Sequence, residues 1–243
     1  MNPNPNRPDA ATLAPTPLID SDHPAVLGFA QRHAQGSNDR ERAVALYYAV
    51  RDGFRYDPYR CDLSPAGMKA STVIAQGLGW CVPKATLLAA ASRAAGIPAR
   101  LGFADVRNHL STERMRQSMK TDIFYWHGYT EIWLDGDWRK ATPAFNVELC
   151  DRFGLMALEF DGQADSIYHP FDRAGNRHME YVTQRGSFNE LPLEQLLADF
   201  RLHYPGWVAG NTSRDQGADF MAEVDIEAAL ARAKSSESGA GMA

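Results

Sequence analysis

The sequence predicts an α+β protein: helices first, then a helix headed by a cysteine, then an antiparallel sheet. Three observations carry that expectation. Ala43, Leu46, Tyr47, Val50 and Phe54 recur at helical spacing near the start of the chain. Lys84 to Ala95 is rich in Ala and Leu, which favour helix, and Gly96 and Pro98 end it. Ile123 to Leu134 is dense in aromatic and β-branched residues, the composition of a strand. Asp135-Gly136-Asp137 then supplies a hairpin turn, and Trp138 to Thr142 returns as the partner strand.

In chain order, residues 1 to about 20 are rich in Pro and Asn and predict a flexible or extended arm. Ser21-Asp22 offers a cap for a helix to about Gln35, with Pro24 in its first turn. Gly36-Ser37-Asn38-Asp39 breaks that helix and caps the next, Arg40 to about Phe54. Arg55 to Gly67 reads as loop, and Ala70 to Gln76 as a short helix leading to Cys81. Ala99 to Val106 reads as a strand, and Asn108 to Thr121 as irregular or helical.

Beyond Asn146 the pattern weakens. Leu155 to Tyr168 suggests short strands; His169-Pro170-Phe171-Asp172 and Gly175-Asn176 suggest turns. Leu193, Leu196, Leu197 and Phe200 define one face of a helix from Leu191 to about His203. Asp219 to Lys234 suggests another helix, and residues 235–243 a disordered tail. The expected organisation is therefore one domain over residues 21–234, with a C-terminal extension from about residue 150.

The 243 residues are ample for a core, and 44% hydrophobic with 23% charged residues is ordinary for a globular protein. A net charge of −5 gives no footprint for nucleic acid or an anionic membrane surface. No apolar run is long enough to span a bilayer, and the N-terminus lacks a signal-peptide pattern. These features predict a cytoplasmic protein. Three widely spaced cysteines, Cys61, Cys81 and Cys150, argue against a disulfide framework. With no CxxC pair and no HExxH, no metal site is expected.

Cys81 stands where a helix begins. Gly77 and Gly79 let the chain turn before it, and Pro83 suits the first turn. Unpaired N–H groups and the helix dipole favour a thiolate there. A cysteine among alanines also suits a small buried hydrophobe. His127 lies mid-strand, on the face shared by Tyr129 and Glu131. A histidine there can serve a nearby thiol as base, or be a buried side chain satisfied by one hydrogen bond.

Together these segments resemble the transglutaminase-like superfamily. The resemblance rests on Arg55-Tyr56, Gly79-Trp80-Cys81, Ala95-Gly-Ile-Pro-Ala-Arg100, His127-Gly-Tyr-Thr-Glu-Ile132 and Gly136-Asp-Trp138, and covers roughly residues 40–147. It implies a papain-like α+β fold with Cys81 as nucleophile and His127 as general base. It also implies acyl transfer on amides: transglutamination, deamidation or peptide hydrolysis. No metal or organic cofactor is implied. The implied partner is a protein, peptide or small amide substrate, with neither nucleic acid nor membrane.

The sequence departs from the family at one point. The family's Asp-Pro-Thr is here Thr142-Pro143-Ala144, so Thr142 stands where an aspartate orients the histidine. A hydroxyl can hold the imidazole's orientation but supplies no charge. Asn146 and Glu131 are the alternatives for that role. For the oxyanion, the backbone N–H of Cys81 is one expected donor, with the Trp80 indole or the Gln76 amide as the second. Lys84 and Arg93 are expected to be solvated or salt-bridged, and the other six histidines structural. The leading expectation is a cysteine enzyme acting through a Cys81 thioester, with hydrolysis favoured over transfer. The alternatives are a non-catalytic binding or scaffold protein that has lost the acid, and an amide-forming or cyclising enzyme acting on a carrier-bound acyl group.

Overall fold

Helix α4, Cys81–Ala94, is buried at every position but its last. A helix with no solvent face must be covered all round. In the computed structural model, which describes residues 7–108, 111–168, 171–205, 219–227 and 229–230, three helices and a sheet provide that cover. The helices are α1 (Pro24–His33), α2 (Asp39–Gly53) and α3 (Ala70–Gln76). On the other side lies a four-stranded antiparallel sheet, formed by β3 (Ala99–Asn108), β4 (Ile123–Leu134), β5 (Asp137–Ala141) and β6 (Met179–Phe188), in the order β5-β4-β3-β6. The fold is α+β, as expected.

Capping follows the sequence with one change. His23, not Ser21 or Asp22, caps α1, its Nδ1 accepting from the Ala25 N–H at 3.2 Å, with Pro24 in the first turn. Asn38 caps α2 by accepting from the Glu41 N–H at 3.0 Å. The β4–β5 hairpin turns through Asp135 (φ 51°) and Gly136 (φ 91°), the paired positive φ values that Asp-Gly accommodates. Between β3 and β4 lies α5 (Glu113–Met119).

Several elements differ from expectation. The arm is not free: Asp9 caps a 3-10 turn at Ala10–Thr12, and Leu18 and Ile19 are buried. Apolar side chains in a Pro-rich stretch have a core to join. Within the expected loop, β1 (Arg55–Tyr56) pairs in parallel with β2 (Leu78–Gly79), just before α4. Residues 155–168 form no strand beyond one bridge, Ala141 to Ser166. Instead the chain makes α6 (Val147–Phe153) and, later, β6. The Asp172–Asn176 turn forms, while His169 and Pro170 lie outside the described residues. Helix α7 spans Leu193–His203 with Leu196 and Phe200 buried. Residues 220–227 are helical, with Phe220 and Val224 in the core; the tail over 235–243 lies outside the described residues.

Neither Lys84 nor Arg93 is solvated, because both serve as caps for other segments. Arg93 donates to the carbonyls of Ala99, Ala14 and Asn189, tying three chain segments to the end of α4. Lys84 Nζ donates to the carbonyls of Arg51 (2.8 Å) and Phe54 (2.6 Å), closing the C-terminal end of α2. Burial pushes its pKa down to about 7. A neutral amine has two N–H groups, which these two carbonyls satisfy.

Replacing Lys84 with Met leaves both carbonyls unpaired and should cost about 2–4 kcal/mol in a urea titration. Because the folded-state pKa is depressed, the unfolded chain binds the extra proton between about pH 7 and 10.5. Wild-type stability therefore gains on Lys84→Met as pH rises through that window. A gap that stays flat with pH would contradict the assignment.

Candidate active site

The site forms where the first turn of α4 meets β4. Gly128 permits the approach: a Cβ there would stand 3.1 Å from Val82 Cα and 3.4 Å from Phe103 Cε1. Next along β4, Thr130 Oγ1 donates to the Ala85 carbonyl at 2.8 Å, so Gly128 and Thr130 face α4. The close contact sets Cys81 Sγ beside the Gly128 N–H, one residue from His127.

Two effects compete at Cys81. Burial pushes the thiol up to about 12, against the N–H groups of Gly128, Val82 and Cys81 itself, which favour the thiolate. The helix N-terminus acts as expected, but desolvation outweighs it. Cys81 is only 7% exposed, and Tyr56, Tyr168, Tyr204 and Cys61 lie close enough to sense its charge.

His127 is 4% exposed, and its ring lies 4.9 Å from that of Tyr168. Burial and, secondarily, neighbouring His178 push its pKa down to about 3. Among the described residues its Nε2 has no hydrogen-bond partner, and neither ring nitrogen is hydrogen-bonded to Cys81 Sγ. The structure therefore holds a neutral thiol and a neutral imidazole.

Thr142 follows directly on β5 and is buried at 1% exposure. By the register of β4 and β5, in which Thr130 pairs with Ala141, it falls across from Tyr129, on the His127 face. Burial raises the Tyr181 pKa to about 12, and the nearby Thr142 hydroxyl opposes that rise, but among the described residues it reaches hydrogen-bonding geometry with no group. It makes no bond to His127.

Of the other candidates, Asn146 and Glu131 are engaged elsewhere. Asn146 Oδ1 accepts from the Tyr56 N–H at 3.1 Å, holding β1 in place. Glu131 is paired with Arg100 at 2.5 Å, and Arg100 lies 4.1 Å over the Trp138 ring. Gln76 is exposed at the end of α3, so its amide faces solvent. Trp80 precedes α4 and is buried, its ring 6.2 Å from that of Phe200. Cys61 and Cys150 are also free and buried, with their thiol pKa values raised by burial. Sequence reading missed Tyr168, Tyr204 and His178, which close over Cys81 and His127 from the C-terminal half. An aromatic or histidine in an unpunctuated stretch carries no signal of where it folds back.

Residues 28–143 match the model of the transglutaminase-like superfamily. Over that span the chain is similar to a transglutaminase-like core. Cys81, His127 and Thr142 all lie within the matched span. No curated protein matches the sequence. Two solved structures do. One, named a "putative cysteine protease" from Cytophaga hutchinsonii, is 17% identical with a TM-score of 0.41, over 72% of this chain and 52% of that one. The other, named a "putative protease" from Parabacteroides distasonis, is 19% identical with a TM-score of 0.35, over 48% of this chain and 22% of that one. The chain thus spans about half the length of the first and about a fifth of the second. Among the described residues, no helix is long and apolar enough to cross a membrane.

Gly128→Ala in this transglutaminase-like core should cost about 1–3 kcal/mol, as overpacking against backbone does. Gly53→Ala, with open space around its Cβ, should be neutral or slightly stabilising. Equal denaturation midpoints for the two variants would refute the close approach of β4 to α4.

Proposed function

We propose that the protein is a cysteine enzyme that hydrolyses, or transfers, the acyl group of an amide. The observation that carries this reading is the setting of Cys81 Sγ. It lies among the N–H groups of a helix start and of Gly128, with His127 next on the strand. Family resemblance supports the same two residues in the same roles.

In this reading His127 accepts the thiol proton as sulfur attacks the carbonyl carbon. Backbone N–H groups at the start of α4 stabilise the oxyanion. Collapse of the tetrahedral adduct breaks the C–N bond, and His127 passes its proton to the departing amine. The acyl group remains on sulfur as a thioester. His127 then takes a proton from water, or from an acceptor amine, as that group attacks the thioester; the new adduct collapses with cleavage of the C–S bond, His127 returns the proton to the sulfur, and the acid or new amide departs. With no carboxylate beside His127, the imidazolium is a passing state. Because Cys81 is 7% exposed, a peptide reaches it only when the covering side chains shift. Substrates in this reading are a protein, a peptide or a small amide. The free cysteines suit a reducing compartment, and we place the protein in the cytoplasm.

Iodoacetamide, with peptide mapping, tests the pair. If His127 accepts the thiol proton, His127→Ala should slow Cys81 alkylation at pH 7 by about tenfold or more, the change that one unit of thiol pKa produces. If His127 only fills space, the cavity left by Ala admits reagent and alkylation speeds up. The two readings predict opposite signs.

A second reading, a non-catalytic binding protein, draws on Thr142. No charged group stands at the orienting position, and Thr142 makes no bond to His127. Thr142→Asp should raise the His127 pKa from about 3, read from its ring C–H signals by NMR. An unmoved titration would show that position 142 does not address the ring.

A further inference from the structure

Trp126, the residue before His127, has φ 59°. For a bulky residue this left-handed conformation is strained and persists only where its surroundings impose it. The pairing of β3 with β4 shows where it arises. Ala104 pairs with His127 and Val106 with Phe124, so Tyr125 and Trp126 together stand against the single residue Asp105. This is a β-bulge, a device that redirects the chain. It lies immediately ahead of the proposed base.

Four contacts hold it. Asp105, 5% exposed, accepts the Trp126 backbone N–H on Oδ1 at 3.1 Å. The Trp126 indole N–H donates to Asp199 Oδ2 at 2.8 Å. Arg185 bridges the two carboxylates, bonding Asp105 through Nε and Asp199 through Nη1 at 2.5 Å. Its guanidinium lies 4.7 Å over the Trp126 ring. Asp199 is on α7 and Arg185 on β6, both outside the span matched by the family model. Two carboxylates and one guanidinium thus converge on one strained residue and its indole.

We propose that Asp105, Arg185 and Asp199 are positioning residues for His127: they clamp Trp126 in its left-handed bend and so fix where the base enters the site. The inference rests on the reading of His127 as proton acceptor. It assigns to β6 and α7 a part in the active site that the core alone lacks.

The test is a double-mutant cycle read by Cys81 alkylation with iodoacetamide at pH 7, with thermal melts as the control for folding. Asp105→Ala should slow alkylation about tenfold, as a rise of one unit in thiol pKa would. Combined with His127→Ala it should add nothing further, because it acts through His127. A merely structural Asp105 would lower Tm and leave the rate unchanged or raised. Should Asp105→Ala fail to fold, Arg185→Gln cuts the bridge from the other end with the same expected loss. Wild-type alkylation in a folded Asp105 or Arg185 variant, or an effect that adds in full to His127→Ala, overturns the proposal. If His127→Ala itself does not slow alkylation, the proton-acceptor reading falls, and this inference with it. If His127→Ala slows alkylation and the folded Asp105→Ala does not, only the clamp is refuted.

Discussion

The rest of the structure depends on enclosing α4. A helix of Ala and Leu with a cysteine at its head offers almost nothing to water, so helices must cover one side and a sheet the other. Enclosure has two consequences. It demands that β4 come very close to the first turn, which only Gly128 allows. It also strips water from Cys81 and Lys84, which pushes the thiol pKa up to about 12 and the amine pKa down to about 7. The geometry that brings thiol and histidine strand together is therefore the same geometry that quenches their charge.

That coupling explains the electrostatics of the site. A helix N-terminus and three N–H groups favour the thiolate, yet burial wins because the sulfur has no cation beside it. His127 faces the same difficulty with the opposite sign. In a family site with an aspartate at the position of Thr142, the imidazolium has a partner; here Glu131 is consumed by Arg100 and Asp105 by the clamp on Trp126. Separate charges are costly in this interior. A proton passing directly from sulfur to imidazole keeps the pair neutral overall, and exposure to substrate or water lowers the remaining cost.

The C-terminal half is more than an appendage. Tyr168 roofs His127, Tyr204 binds the start of β4 by accepting the Tyr125 N–H at 2.6 Å and donating to the Ile123 carbonyl at 2.7 Å, and residues 220–227 bring Phe220 against Tyr56. The helical piece is fastened by charge as well, with Glu223 bonded to Arg114 and Tyr59. The walls of the site thus come from sequence remote from its chemistry.

The sequence by itself determined the helices around Cys81, the three-strand meander and its Asp-Gly turn, and it singled out the two residues on which the proposed chemistry rests. Each is written in local pattern: periodicity, cap residues, or a run of β-branched and aromatic side chains. Helix α6, between Asn146 and Gly154 at φ 68°, was not read from the sequence, because seven residues make a faint period. Strand β6 was not, because an edge strand keeps much of its surface in water and needs no apolar alternation. Only the tertiary structure decided that Lys84 and Arg93 are buried caps, that Asn146 and Glu131 are committed elsewhere, and that Trp126 is held in a left-handed bend. Those outcomes depend on which carbonyls, carboxylates and rings arrive from distant parts of the chain. Charge and hydrogen bonding act through space, and one residue's sequence neighbours do not reveal its neighbours there.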